Sequence, residues 1–160
     1  MSGSADRGGI VRAVCLGPGG IPKHPVDEAE CVALGLVGDK HRFRLHGGLE
    51  RAVCLFSVED YAALRRDGVA CDAPGTFGEN LLLEGLDFAA LAPDDVLSIG
   101  DEVELAIHDV REPCNTLRAV DRRFPDLMLG RSGFVCRVVR GGMLRPGMAV
   151  RVATPRGGAW

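Results

Sequence analysis

Val103-Glu104-Leu105-Ala106-Ile107-His108, running on into Arg111-Glu112-Pro113-Cys114-Asn115-Thr116-Leu117, decides the fold. In the first half Val103, Leu105 and Ile107 share one face at a period of two, the pattern of a half-buried strand. Similar short apolar runs recur at Ile10–Leu16, Arg51–Phe56, Leu81–Leu83, Gly133–Val139 and Met148–Val152. Glycine turns separate them: Gly17-Pro18-Gly19-Gly20, Gly35-Leu36-Val37-Gly38-Asp39, Ile99-Gly100-Asp101 and Gly141-Gly142, the last read as a hairpin turn. About seven short strands so punctuated predict a mainly β fold, a barrel or sandwich with a few short helices, and not alternating βαβ units.

Outward from that frame, Ser57-Val58-Glu59-Asp60 reads as an N-cap with acids in the first turn of a short helix, which Gly68 stops. Residues 26–34 fit a strand or a short helix, and residues 91–97 read as a loop or single helical turn. Leu117-Arg118-Ala119-Val120 reads as a helix opening that Arg122-Arg123-Phe124-Pro125-Asp126 breaks. No internal repeat or linker is visible, so the expectation is one domain over residues 10–153, with flexible termini at 1–9 and 154–160.

Of the 160 residues, 46% are hydrophobic and 26% charged, a globular composition. A net charge of -3 argues against bulk nucleic-acid binding. No signal-like core follows Met1 and no run is long enough to span a membrane, so the expectation is a cytoplasmic protein. The six cysteines (15, 31, 54, 71, 114, 136) form no Cys-x-x-Cys pair. That spacing fits reduced thiols better than a disulfide framework or structural zinc. Cys15, Cys54 and Cys136 read as small core hydrophobes within apolar runs.

Two segments carry candidate chemistry. Pro113 suits the first position of a helix, which would place Cys114 at a helix N-terminus, close to Arg111. Both features favour the thiolate, the nucleophilic and metal-ligating form. The same cysteine is also readable as a buried thiol filling a gap after a strand, the commoner case for a lone cysteine. Upstream, Lys40, Arg42, Arg44 and His46 fall on one face if extended, beside Gly47-Gly48. That row could seat a phosphate or oxyanion, or simply charge an edge strand.

The order of several blocks then resembles the MOSC domain, the module named after the C-terminal part of molybdenum cofactor sulfurases, in the form of a stand-alone bacterial-type member. The blocks are Gly35-Leu36-Val37-Gly38-Asp39 with His46-Gly47-Gly48 and Arg51-Ala52-Val53, then Phe77-Gly78-Glu79-Asn80-Leu81 with Gly85-Leu86. Ile99-Gly100-Asp101, Arg111-Glu112-Pro113-Cys114, and Gly133-Phe134 through Gly141-Gly142 to Pro146-Gly147 complete the series.

The resemblance implies a β-barrel that binds the molybdenum cofactor (Mo-pterin), with Cys114 as metal ligand and catalytic residue. It further implies cofactor contacts from Lys40, Arg42, His46, Gly47, Arg51, Gly78, Glu79, Asn80, Arg111 and Asn115. Glu79 is expected to orient a cation and Asn80 to hydrogen-bond the pterin. A soft thiolate and a row of cations suit such a group. The sequence contains neither the pyridoxal-phosphate domain of cofactor sulfurases nor the C-terminal helical region of longer bacterial relatives. The expectation is therefore an oxidoreductase that reduces N-hydroxylated or related small molecules with electrons from a partner protein. The alternatives are a sulfur-transfer module, with a sulfur-donor partner and a persulfide on Cys114, and a non-catalytic anion-binding barrel. No nucleic acid or membrane is expected as partner.

Overall fold

A computed structural model describes residues 8–19, 21–40, 49–112, 115–128 and 130–153. The strands in chain order are β1 (Gly9–Leu16), β2 (His24–Val26), β3 (Ala29–Val32), β4 (Gly35–Leu36) and β5 (Val53–Ser57). After the helix α1 (Val58–Arg66) come β6 (Leu81–Glu84), β7 (Val96–Ile99), β8 (Val103–Val110), β9 (Phe134–Arg140), β10 (Gly142–Leu144) and β11 (Ala149–Ala153). Seven of these run β11-β7-β8-β9-β5-β6-β1 around a barrel, which closes where Gly9 meets Val150 and Ile10 meets Ala149. β2 extends the sheet from β1, and β10-β3-β4 form a separate small sheet.

Closure removes the exposed strand edges that an open sheet would present. Inside, Val11, Val53, Leu55, Leu81, Leu97, Ile99, Leu105 and Val150 are fully buried. A second core lies outside the barrel wall, where Phe56, Tyr61, Leu64, Phe77, Leu82, Leu117 and Phe124 pack together. β1, β5 and β6 are thus covered on both faces. This explains why Leu81-Leu82-Leu83 is unbroken apolar sequence while β7 alternates.

The Ser57 reading holds in detail. Its side chain accepts a hydrogen bond from the Asp60 N–H at 2.9 Å, Glu59 and Asp60 occupy the first turn, and Gly68, at φ +91°, follows the helix end. α1 connects β5 to β6, which pair in parallel, so one βαβ unit does exist within the barrel. A parallel pair needs a crossover, and α1 with residues 67–80 supplies it.

Other local expectations shift. Residues 26–34 hold no helix: they contribute the end of β2, all of β3 and a turn at 33–34, and part of the 91–97 loop is already β7. Gly141-Gly142 is no hairpin turn, because Gly142 begins β10, which crosses to pair with β3. Leu117-Arg118-Ala119 belongs to a 3-10 turn, Asn115–Ala119, in place of an α-helix. Asp121 competes with helix extension by accepting the Arg123 N–H at 2.9 Å, and Phe124 must turn inward to reach the outer core. The macrodipole part of the Cys114 argument weakens accordingly. The expected flexible ends at 1–7 and 154–160 lie outside the described residues.

Candidate functional site

The loop entering β6, Phe77-Gly78-Glu79-Asn80, is the hub of the site. Asn80 stitches β1 to β5 ahead of the β6 ladder. Its backbone N–H donates to Cys54 O at 2.9 Å, and its carbonyl accepts from the Cys15 N–H at 2.7 Å. The side chain repeats the pattern, with Oδ1 accepting from Cys54 N–H at 3.0 Å and Nδ2 donating to Cys15 O at 3.2 Å. The remaining Nδ2 proton goes to Asp39 Oδ2 at 3.0 Å. Both amide protons are therefore used within the protein, and Asn80 is fully buried.

Asp39 gathers three segments. Its Oδ1 accepts from the Gly17 N–H at 2.9 Å, and Oδ2 accepts from Lys23 Nζ at 2.8 Å as well as from Asn80. The Lys23 and Asp39 side chains are 8% and 2% exposed, so this is a buried ion pair. Lys40 follows directly. Its N–H donates to Gly17 O at 3.0 Å, while the residue as a whole is exposed.

Glu79 is fully buried. Its Oε2 accepts from the Tyr61 hydroxyl at 2.6 Å and the Gly75 N–H at 2.9 Å, whereas Oε1 has no partner among the described residues. Burial, and secondarily the Glu79 charge, push the Tyr61 hydroxyl pKa upward, which keeps it a donor. Burial first, then Glu79, also raise the Cys15 thiol to about 12. Phe56, Tyr61 and Phe77 pack edge-on around this point at centroid distances of 5.0 to 5.4 Å.

Gly78 has φ +82°, and a Cβ there would lie 2.7 Å from Ile21 Cγ2 and 3.5 Å from Arg111 Nη2. The loop thus uses glycine both for its backbone and for the close approach of Arg111. Arg111 Nη2 donates to Phe77 O, and Ser132 Oγ donates to Arg111 O at 2.6 Å. Arg111 Nη1 is buried with no partner among the described residues, and so is Arg51 Nε.

Of the expected site residues, the structure brings together Gly78, Glu79, Asn80 and Arg111. It joins Lys40 to them through Asp39. Arg51 ends the 3-10 turn leading into β5, the strand that bonds Asn80. The backbone of Asn115 lies in the 3-10 turn that follows Cys114. Cys114, Arg42, His46 and Gly47 lie outside the described residues. Lys23, Asp39 and Tyr61 were missed. Asp39 closed a recognisable block, and Tyr61 sits one helical turn from buried Leu64, but nothing in Ile21-Pro22-Lys23-His24-Pro25 announces a buried lysine.

Among the described residues no helix is long and apolar enough to cross a membrane, and no group of three or more His, Cys, Asp or Glu side chains could hold a metal ion. The MOSC domain profile matches residues 42–151. A protein named "Reductase" from Gibberella moniliformis is 31% identical over 127 residues, 73% of this chain but 22% of that protein. The uncharacterized protein YflK of Bacillus subtilis is 31% identical over 107 residues, 64% of this chain and 48% of its own length. The chain thus spans about a fifth and about half of these two curated relatives. The crystal structure of YiiM from Escherichia coli superposes with a TM-score of 0.72 at 25% identity, covering 92% of this chain and 70% of that one. The barrel, the block order and the profile match agree, and the chain belongs to the MOSC domain family.

Proposed function

We propose that this chain binds the molybdenum cofactor and works as a partner-dependent oxidoreductase on N-hydroxylated or related small molecules. The observation that carries the reading is Arg111. Its Nη1 is buried without a partner among the described residues, while Nη2 is held by Phe77 O, three residues before Cys114 in the chain. A desolvated guanidinium donor is costly unless an acceptor arrives, and an anionic oxygen of a cofactor is a fitting one. Gly78 leaves room beside it. The residues therefore fit the group.

Bound there, the cofactor would supply two-electron redox chemistry at molybdenum. The protein's own part is to hold and orient. Cys114 would ligate the metal through its thiolate. Arg111, with Lys40, Arg42, His46 and Arg51, would provide countercharge for phosphate and oxo oxygens. Gly47 and Gly78 would let backbone approach closely, Asn115 would offer a polar contact, and Asn80 would hold the loop in place through Cys15, Cys54 and Asp39. Glu79 would act by locking the loop through Tyr61 and Gly75. The name of the Gibberella relative supports a reductase reading, and since this chain spans 22% of that protein, an electron donor is expected from elsewhere.

The test is anaerobic turnover of an N-hydroxyamidine such as benzamidoxime by protein loaded in a cofactor-producing host, with a reduced viologen as donor. Conversion to the amidine that disappears in Cys114→Ser is expected. Loaded protein that converts none contradicts the oxidoreductase reading, and a persulfide on Cys114 in that protein would favour sulfur transfer.

A further inference from the structure

A cleft of about 490 Å³ opens where β5, β6 and β8 end and β9 begins, away from the Asn80 hub. Leu86, Phe88, Leu91, Val110 and Phe134 line it, with the Phe88 and Phe134 rings 5.5 Å apart and tilted by 42°. An apolar recess of this size, with a few convergent polar groups, is the usual form of a small-molecule site.

Carboxylates outnumber cations here. Glu59, Asp60 and Asp87 face the cleft beside a single cation among its lining residues, Arg131. Its Nη2 is bonded to Asp67 Oδ2 at 2.6 Å and its Nε to Leu127 O at 2.7 Å, so much of its charge is answered outside the three carboxylates, although it still acts on Asp60. Each outer carboxylate is anchored through one oxygen, Glu59 Oε2 by the Gly85 N–H at 2.9 Å and Asp87 Oδ1 by the Ala89 N–H at 3.1 Å. The second oxygen of each remains for a ligand. Asp60 is half-buried, and burial raises its pKa against the lowering effects of Ser57 and Arg131. The N-terminus of α1 adds partial positive charge of roughly half a unit, which the two carboxylates of its first turn outweigh.

We propose that this cleft is a binding site for a small organic cation, an apolar or aromatic body bearing one protonated amine or amidine. The ring rests against Phe88 and Phe134, and the cation replaces the water that half-buried Asp60 has partly lost. The Arg111 backbone forms one wall's support, since its N–H donates to Gly133 O at 3.0 Å. Occupancy of the cleft therefore bears on the strand end that leads to Cys114. The site does not depend on the cofactor reading, because it contains none of the proposed cofactor contacts.

The experiment is a titration of isotope-labelled protein, without cofactor, by benzylamine and by its neutral isostere benzyl alcohol. Benzylamine is expected to bind about tenfold tighter at neutral pH, with shifts centred on Val110, Gly130 and Gly133. Asp60→Asn should reduce it to the level of the alcohol. Asp87→Asn, which can still cap the Phe88–Ala90 turn, serves as the second variant and should weaken benzylamine alone. Phe88→Ala should weaken both ligands alike. Lowering the pH through the raised Asp60 pKa should release the amine, Glu59, Asp87 and Arg131 being the other charged groups that face the cleft. Equal affinity for the two ligands, binding of neither, or shifts centred elsewhere would overturn the proposal.

Discussion

Replacing Lys23 by Met tests whether the Lys23–Asp39 pair holds the site together. The substitution keeps the aliphatic stem and removes the ammonium group. An Asp39 carboxylate that is 2% exposed then loses one of its donors, keeping those from Gly17 and Asn80. Breaking a buried pair from one side costs about 3–5 kcal/mol, and the surviving hydrogen bonds place Lys23→Met near the lower end. For a chain of this length about 3 kcal/mol corresponds to a fall in Tm of roughly 6–12 °C. Urea denaturation of wild type, Lys23→Met, Asp39→Leu and the double variant gives the coupling, expected at about 2 kcal/mol or more. A loss below about 1 kcal/mol for Lys23→Met, the range of an exposed pair, would refute the claim that this contact is desolvated and organising.

Three further outcomes follow from the same geometry. Tyr61→Phe keeps the contacts with Phe56 and Phe77 but removes the hydroxyl from Glu79 Oε2, costing about 1–3 kcal/mol by chemical denaturation. Gly78→Ala places a methyl 2.7 Å from Ile21 Cγ2 at φ +82°, and should cost about 1–3 kcal/mol while loosening Arg111, read by hydrogen exchange at Phe77 and Gly78. Among the described cysteines Cys54, the one not fully buried, should label first with a thiol reagent. Burial raises the Cys15 thiol to about 12 and Cys31 to about 11, so both stay protonated at neutral pH. Moving from pH 7 to pH 9 should leave them slow by mass spectrometry.

The barrel was legible in the sequence because its signals are local. Val103–Ile107 alternates, Ile99-Gly100-Asp101 turns, and Ser57-Val58-Glu59-Asp60 caps a helix whatever surrounds it. Gly142 was misread because a glycine pair signals a turn, and only the small sheet decides that it starts a strand. The 3-10 turn at Asn115–Ala119 was misread because the inward pull of Phe124 is a tertiary demand. At the site, the Phe-Gly-Glu-Asn loop was legible only as one block of the family resemblance, polar residues set directly before the apolar run Leu81–Leu83. The cause of that polarity was not visible, because Asn80 answers Cys15 and Asp39, which are 65 and 41 residues away in the chain.

The central claim is that Arg111 and Cys114 serve one cofactor, and molybdenum content tests it most directly. Wild type, Cys114→Ser and Arg111→Met would be purified from a host that makes the cofactor, checked for folding by circular dichroism, and assayed for metal by mass spectrometry. The account predicts molybdenum in wild type and its loss in both folded variants. Wild-type protein without molybdenum, or variants that retain the wild-type amount, would contradict it.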